Sequence, residues 1–175
     1  MKDLKDKSRY ISLLLRHHPE KENLKLDKEG WCSVSDLCNK LNITEDDLDW
    51  IVDNNDKKRF GYNTLKTMIR ANQGHSADVK INYKKCYTTP AFLYHGTSIT
   101  LKDTLLKQGI KKMSRTHVHL SPDSLTATQV GKRKDKNIIL LKIDGNKMIK
   151  DGFDIFISEN GVYLTDFVPA KYISL

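Results

Sequence analysis

The spacing of apolar residues changes between residues 73 and 90, and this change constrains the fold more than any other feature of the sequence. Before it, apolar residues recur at helical spacing between capping residues, whereas after it short apolar stretches typical of strands dominate. A chain of 175 residues suits one large domain or two small lobes. We therefore predict an α+β fold with a first lobe over residues 1–76, a connection over 77–90 and a second lobe over 91–175.

Three helices are predicted in the first lobe from their start and stop signals. The first helix ends just before Pro19, because the residue that precedes a proline is biased toward extended backbone. The second follows Ser33 and runs to Leu41, and the third follows Thr44, since both hydroxyls can accept a backbone N–H at a helix start. With a hairpin after them, the three helices give the outline of a winged-helix module.

Two hairpins are predicted around these helices. The turn Asp27–Gly30 predicts one between Leu24 and Trp31, and the segments Phe60–Tyr62 and Thr67–Ala71 predict the other. Cations crowd the second hairpin and its approach, namely Lys57, Lys58, Arg59, Lys66 and Arg70. A basic hairpin beside helices suits a polyphosphate, although a solvated surface hairpin gives the same pattern.

The second lobe is predicted to be rich in strands, with only two helices. The strands are Phe92–Tyr94, Val118–Leu120, Ile138–Ile143, Phe153–Ile157 and Val162–Leu164, and the helices are Ser98–Gly109 and Ser124–Val130. In the connection, Val79, Ile81 and Tyr83 alternate as in a strand.

The charge balance favours a polyanionic partner. Thirty Lys and Arg against 22 Asp and Glu give a net charge of +8 and a pI near 9.3. An excess of this size is typical of chains that bind nucleic acid or nucleotide phosphates. General solubility explains the charge, taken alone, about as well.

The same sequence argues against a secreted or membrane protein. The longest apolar runs, Ile11–Leu15 and Ile138–Leu141, are too short to span a bilayer, and the first ten residues lack the apolar core of a secretory signal. The cysteines Cys32, Cys38 and Cys86 are odd in number and match no zinc spacing, so we interpret them as reduced and mostly buried. These features predict a cytoplasmic protein.

Three polar segments offer groups for chemistry. Arg16 and His17 end the first helix, where cations either complement the helix dipole or receive an anion. Residues 69–76 gather Asn, Gln, His and Ser around a glycine, which predicts either a binding site or a polar loop. Tyr94–Thr97 ends a predicted strand before a helix that Ser98 can cap, an arrangement that suits a nucleotide.

Two further candidates carry weaker signals. His117 and His119 fall on one side of a strand, but no third ligand is apparent nearby, so we predict no metal site. Arg133 lies in the basic run Gly131–Lys134 before an apolar strand, and such a run is usually a solvated turn.

Taken in order, six segments of the chain resemble the RNA 2′-phosphotransferase family, often called tRNA 2′-phosphotransferases. The matching segments are Leu14–His17, Asp56–Phe60, Ile69–Ser76, Tyr94–Thr97, His119–Ser121 and Gly131–Arg133. They run along nearly the whole chain, and the block Ala-Asn-Gln-Gly-His-Ser is highly specific to that family.

The resemblance implies a winged-helix lobe that holds RNA and a second lobe with the ADP-ribosyltransferase fold that binds NAD. It implies an enzyme that removes an internal 2′-phosphate, left at an RNA splice junction, by transferring it to NAD through an ADP-ribosylated 2′-phosphate. The products would be 2′-OH RNA, nicotinamide and ADP-ribose 1″,2″-cyclic phosphate. We expect a monomer that needs no metal.

The resemblance also implies which residues form the site. The catalytic residues would be Arg16, His17, Arg59 and Arg133. The residues that bind NAD would be Tyr94, His95, Gly96, Thr97, His119 and Ser121. The residues that bind RNA would be Lys58, Arg70, Asn72, Gln73, His75 and Ser76.

One departure from related enzymes keeps alternatives open. Many protein-modifying ADP-ribosyltransferases carry a catalytic Glu where this chain has Val162, and Glu159 lies close to that position. The departure suits a phosphate acceptor, which is already anionic and would be repelled by a carboxylate. The alternatives are an ADP-ribosyltransferase that acts on nucleic-acid terminal phosphates or on protein, and a winged-helix nucleic-acid binder without catalysis.

Overall fold

The computed structural model describes residues 2–133 and 135–175. The chain divides into two compact units, one that ends at Asn82 and one that begins at Tyr83. Helices and strands occur in both, so the mixed composition expected of an α+β chain is confirmed. The assignment of the units to RNA and to NAD stays a prediction.

No helix in the described part of the chain is long and apolar enough to cross a membrane.

From residue 2 on, the first unit contains three α-helices, a short 3-10 helix and one three-stranded antiparallel sheet. In chain order its elements are α1 (Lys2–Arg16), the 3-10 helix Pro19–Glu22, β1 (Cys32–Ser33), α2 (Val34–Leu41), α3 (Glu45–Asp53), β2 (Phe60–Tyr62) and β3 (Met68–Ala71). The sheet order is β1-β3-β2, so β3 is the central strand. Fully buried apolar side chains of α1, among them Ile11 and Leu14, share one core with those of α2, α3 and β3.

The predicted helix caps of the first unit are confirmed. The Ser33 hydroxyl accepts the backbone N–H of Asp36 at the start of α2. At the start of α3 the Thr44 hydroxyl accepts the N–H of Asp47, whose carboxylate in turn accepts the N–H of Thr44. Both caps satisfy a donor that a helix start leaves without an intrahelical partner, and the pair at α3 is reciprocal.

Two predicted extended segments are wrong. The turn after Leu24 does form, because the Asp27 carboxylate accepts the N–H groups of Glu29 and Trp31. The residues before that turn form no strand, however, and the strand after it is β1, which pairs with β3. The alternating residues 79–83 are not a strand either: only Val79 is buried, and the next strand starts at residue 84.

The described residues of the second unit form short strands in three sheets, together with three α-helices. Its elements are β4 (Lys84–Lys85), β5 (Leu93–Ser98), the 3-10 helix Ile99–Leu101, α4 (Lys102–Gln108), β6 (Ile110–Lys111), β7 (Val118–Leu120), α5 (Ser124–Gly131), β8 (Ile138–Ile143), α6 (Gly145–Lys150), β9 (Phe156–Ile157), β10 (Tyr163–Thr165), β11 (Phe167–Val168), the 3-10 helix Ala170–Tyr172 and β12 (Ile173–Ser174). The sheet orders are β12-β8-β5, β4-β9-β10-β7 and β11-β6.

The expectation of only two helices in the second unit is wrong, because α6 is a third. Its start is capped by the Asp144 carboxylate, which accepts the N–H of Lys147. The fully buried Met148 anchors the helix in the core. Helix α6 has only six residues, too few to show a helical spacing of apolar residues in the sequence.

A contact between two glycines fixes α5 against β5. A Cβ atom built on Gly96 would lie 2.1 Å from the Ala127 carbonyl oxygen, and one built on Gly131 would lie 2.9 Å from the Gly96 carbonyl carbon. Distances this short leave no room for a side chain, so the two backbones approach as closely as glycine allows. The contact holds the end of α5, and the turn that follows it, at the middle of β5.

Replacing Gly96 by Ala is expected to destabilise the folded chain by ~3 kcal/mol or more. The new methyl group would clash with backbone atoms of Ala127, which cannot change rotamer to relieve the clash as a side chain could. Urea denaturation would measure the loss. The matched control is Gly152→Ala, where a Cβ atom has nothing within 4 Å and only the positive φ of 88° is unfavourable. We expect ~1 kcal/mol there, and equal losses in the two variants would contradict the close contact.

Candidate functional site

The end of α1 and residues 74–77 meet in the first unit, which brings together two of the segments singled out in the sequence. The Arg16 carbonyl accepts the backbone N–H groups of Ser76 and Ala77, at 2.9 and 3.0 Å. The His17 Nδ1 and the Ser76 hydroxyl share a hydrogen bond of 2.8 Å. Because the last carbonyls of a helix lack intrahelical partners, these bonds both cap α1 and fix its last side chains.

The Arg16 guanidinium packs over Gly74. A Cβ atom built on Gly74 would lie 3.7 Å from Nε and from Cζ of Arg16, and the φ of this glycine is 90°. The Nε and Nη2 atoms of Arg16 are buried. Gly74 therefore supplies both the left-handed turn and the open space in which the Arg16 side chain lies.

Two asparagines hold the segment that carries Arg59. The Asn55 side-chain oxygen accepts hydrogen bonds from the backbone N–H and from Nη1 of Arg59, at 3.2 and 3.4 Å. The Asn72 side-chain amide donates to the carbonyls of Lys58 and Phe60, at 2.7 and 3.2 Å. The strand and the loop on either side of Arg59 are thus fixed by buried amides, which orients its half-buried side chain.

Arg70 is held by an aromatic ring and a carboxylate. Its guanidinium carbon lies 4.3 Å from the centroid of the Trp31 ring, and Nη1 lies 3.8 Å from a Glu29 carboxylate oxygen. Only 11% of the side chain is exposed. The stacked indole and the carboxylate offset part of the cost of taking this guanidinium out of water.

His75 is buried among these cations rather than presented on the surface. It is 1% exposed, and neither ring nitrogen has a hydrogen-bond partner in the described part of the chain. Burial first, and then the positive charges of Arg16, His17 and Arg70, together lower the pKa of His75 to about 4. We call Arg16, His17 and Arg70, arranged around neutral His75, the cationic cluster.

The six residues predicted to bind RNA separate by burial. Lys58 and Ser76 are exposed, Gln73 and Arg70 are half-buried, and Asn72 and His75 are buried. Asn72 and His75 therefore support the residues around them. The predicted contact of these residues with RNA stays a prediction.

The residues predicted to bind NAD gather on β5, β7 and the bridge between these strands. Tyr94 and Ser121 exchange two backbone hydrogen bonds of 2.8 Å. The His95 Nδ1–H donates to the His119 carbonyl at 3.0 Å. This bond fixes the tautomer of His95, so that Nε2 is the acceptor of the neutral ring.

Tyr94–Thr97 lies at the end of a strand and precedes a helical turn, as predicted, but the strand is longer than the predicted Phe92–Tyr94. Strand β5 continues to Ser98, and all four residues pair with β8, with Gly96 opposite Leu140. The Ser98 hydroxyl does accept an N–H at the next helical turn, from Thr100, as the sequence predicts. The Cα of Gly96 faces α5, which gives this glycine a packing role.

Arg133 lies in an exposed turn two residues beyond α5, and Lys134 of the same basic run lies outside the described residues. A residue that the sequence analysis missed, Arg115, lies within electrostatic reach of it. Desolvation lowers the pKa of Arg115, and the positive charge of Arg133 lowers it further. Two like charges held near each other favour an anion as their partner. The signal for Arg115 was its place in the run Arg-Thr-His-Val-His that leads into β7.

The remaining candidates for chemistry, His117 and the three cysteines, pack against other side chains or are at least partly buried. The His117 ring contacts the edges of Tyr83 and Phe156, with centroids 5.6 and 6.3 Å away. Residues 2–133 and 135–175 contain no group of three His, Cys, Asp or Glu side chains that could hold a metal ion. All three cysteines are free thiols. Cys32 and Cys38 are buried and Cys86 is half-buried, and burial raises the pKa of Cys32 to about 11.

Replacing His75 by Gln, which does not titrate, is expected to remove a pH dependence of stability. Folded His75 stays neutral down to a pKa of about 4, whereas an unfolded histidine takes up a proton near its ordinary pKa of about 6.5. The unfolded state therefore binds more protons between these values, so the stability that this group contributes at neutral pH is lost as pH falls. From about pH 7 to about pH 4, the wild type should lose ~3 kcal/mol more than the variant.

Urea denaturation at a series of pH values measures this difference. The same substitution at exposed His18 is the matched control. Because His75 is intact in that variant, its stability should fall with pH as that of the wild type does. Parallel pH profiles for the wild type and His75→Gln would contradict the burial of a neutral imidazole.

Comparison with known proteins agrees along nearly the whole chain. The family model described as "RNA 2′-phosphotransferase, Tpt1 / KptA family" matches residues 2–167. Proteins named "Probable RNA 2′-phosphotransferase" are 48% identical in Fusobacterium nucleatum, over 94% of this chain and 94% of the relative, and 49% identical in Flavobacterium johnsoniae, over 95% and 93%. One with the same name from Hahella chejuensis is 42% identical over 99% of this chain and 95% of its own length. The chain belongs to the RNA 2′-phosphotransferase family.

Proposed function

We propose that this chain is an NAD-dependent RNA 2′-phosphotransferase, which removes an internal 2′-phosphate from RNA and releases nicotinamide and ADP-ribose 1″,2″-cyclic phosphate. The cationic cluster is the observation that carries the proposal. The Arg16 guanidinium packed over Gly74, the His17 ring bonded to Ser76 and the Arg70 guanidinium all lie within electrostatic reach of one buried imidazole. A phosphate monoester brings nearly two negative charges near neutral pH. Membership of the family supports the same substrate class.

Arginine suits the phosphate better than lysine would. Its guanidinium stays charged and donates two parallel hydrogen bonds to phosphate oxygens. Arg16, fixed over Gly74, and Arg59, held by Asn55, would orient the phosphate for attack and later bind the charge that develops during phosphoryl transfer. We also assign a catalytic role to Arg133, in the exposed turn after α5.

His17 is placed for a hydrogen bond or a proton transfer. Ser76 holds its Nδ1, so the opposite nitrogen of the ring, Nε2, is the one that we assign to the substrate. In the second half of the reaction the bond between phosphorus and the RNA 2′-oxygen breaks, and that oxygen needs a proton to leave as a hydroxyl. We assign that proton to His17.

The chemistry of the second unit fits a dinucleotide. Tyr94, Thr97 and Ser121 carry hydroxyl groups, and the acceptor nitrogen of His95 suits a ribose hydroxyl. With NAD bound as co-substrate, the nicotinamide riboside would supply the electrophilic anomeric carbon and the leaving group. Strand β5 is fixed by its pairing with β8 and by α5, and it would keep the side chains of Tyr94 and Thr97 in place.

Both lobe folds belong to the proposal. The element order α1, β1, α2, α3, β2, β3 with β3 at the centre of the sheet supports a winged-helix unit for RNA. Short antiparallel strands with β5 against β8 support an ADP-ribosyltransferase-like unit for NAD. The turn around Val162 is held by the Ser158 hydroxyl, which accepts the N–H of Val162, and Glu159 in that turn is exposed.

The proposal is tested with a short RNA that bears one internal 2′-phosphate, incubated with and without NAD. Mass spectrometry of the RNA and of the small molecules should show loss of phosphate only with NAD, together with ADP-ribose cyclic phosphate. A chelator should leave the activity unchanged. RNA that keeps its phosphate and gains ADP-ribose would instead favour an ADP-ribosyltransferase, and unchanged RNA with intact NAD would leave a binding role.

Replacing Arg59 by Lys is expected to lower turnover about 100-fold, because one point charge replaces a fork that binds two oxygens. Steady-state rates with the 2′-phosphorylated RNA measure the loss. The matched control is Arg9→Lys, a change on the exposed surface of α1 with an expected rate close to that of the wild type. Full turnover by Arg59→Lys would show that the reaction does not need two parallel hydrogen bonds from the Arg59 guanidinium.

Arg133→Ala and Arg115→Ala, measured side by side, decide which arginine of the second unit serves the reaction. Since Arg133 lies within electrostatic reach of Arg115, we expect both variants to lose activity and Arg133→Ala to lose about 100-fold. If Arg133→Ala keeps full turnover while Arg115→Ala loses it, the role passes to Arg115.

A further inference from the structure

A groove on the first unit lies outside the residues that the proposed function uses. It encloses about 630 Å³, a size within the ~300–1,000 Å³ of small-ligand sites. Its lining consists of Lys25, Leu26, Asp27, Trp31, Ser33, Asp36, Lys40 and Met68. None of the proposed catalytic residues is among them. We call it the Trp31 groove.

The Trp31 groove combines an aromatic ring with apolar neighbours and a polar rim. Leu26, Trp31 and Met68 are half-buried, so each presents part of its side chain to solvent. The Arg70 guanidinium is stacked on Trp31 at 4.3 Å, which holds the indole in one orientation. A fixed aromatic ring with cations nearby is the arrangement on which nucleobases stack in single-stranded nucleic acid.

The charges of the groove suit a base better than a phosphate backbone. Two lysines are balanced by two aspartates, and Asp36 lies 3.3 Å from Lys40. The Asp27 carboxylate accepts two backbone N–H groups. These carboxylates would repel RNA phosphates, whereas they and the Ser33 hydroxyl can accept the N–H groups of an uncharged base.

Arg70 connects the groove to the cationic cluster. It stacks on Trp31, and its charge acts on buried His75 together with those of Arg16 and His17. Gly30, the residue before Trp31, lies against the same imidazole, since a Cβ atom built on it would be 3.5 Å from Nε2 of His75. The groove therefore adjoins the buried histidine on which the cationic cluster acts. On this basis, and resting on the proposed function, we infer that the Trp31 groove binds a nucleobase of the substrate RNA that flanks the phosphorylated nucleotide.

The test uses Trp31→Ala and a short RNA with a central 2′-phosphate, prepared with its normal flanking bases and with abasic flanking riboses. Trp31→Ala should raise KM for the normal RNA about tenfold, with kcat within about twofold. Trp31→Phe, which keeps an aromatic face, should restore most of the affinity. Trp50→Phe is the matched control, because Trp50 lies on α3 outside the groove, and its KM should equal that of the wild type.

The abasic RNA separates stacking on a base from an effect transmitted through Arg70. The wild type should bind it about tenfold more weakly than the normal RNA, and Trp31→Ala should cause no further loss. An equal loss on both RNAs would overturn the inference in favour of an effect on Arg70. If Trp31→Ala fails to fold, a wild-type KM that is the same for normal and abasic RNA overturns it as well.

Failure of the proposed function gives a different result. The wild type would then leave the 2′-phosphate on both RNAs. Fluorescence anisotropy with the same RNAs and variants replaces turnover in that case. A tenfold preference for the normal RNA that disappears in Trp31→Ala supports the groove, and equal affinities refute it.

Discussion

The site of the first unit depends on the junction between the end of α1 and residues 74–77. The Arg16 carbonyl accepts two backbone N–H groups there, and Ser76 holds the His17 ring. Main-chain atoms make most of these bonds, so the junction forms without using the charge of Arg16. Two segments almost sixty residues apart in sequence thereby place a guanidinium, an imidazole and a hydroxyl next to each other, and the cationic cluster follows from that placement.

The arrangement has an energetic cost that a substrate can offset. The positive charges of Arg16, His17 and Arg70 oppose protonation of His75, and the charge of Arg133 lowers the pKa of Arg115. Such repulsion destabilises the folded chain when no anion is bound. Under the proposed function, a phosphate dianion bound beside Arg16 would offset the repulsion within the first unit, and that gain would add to the binding free energy. Keeping His75 neutral limits the cost, because a buried charge at this position would add to the repulsion.

Local signals in the sequence predicted local structure well. The caps at Ser33 and Thr44 depend on atoms within three residues of each other, so they can be predicted from a short stretch of sequence. Strand β1 could not, because its partner is β3, more than thirty residues later. The turn at Asp27 is real, but a turn does not determine which strand its neighbours join. Helix α6 was missed because it is held by tertiary packing of Met148.

The residue types of the candidate site were predicted from motifs, but the position of each side chain was not. Asn72, His75 and Gly96 belong to motif segments, yet the first bonds two carbonyls, the second is buried and the third packs against a helix. A binding residue and the residue that supports it occur in the same motif, because a change in either one disturbs the same site. Burial separates the two kinds, and burial is decided by contacts across the fold. Arg115 is the opposite case, because it belongs to no motif segment. It becomes a candidate site residue only through the charge of Arg133, which lowers its pKa.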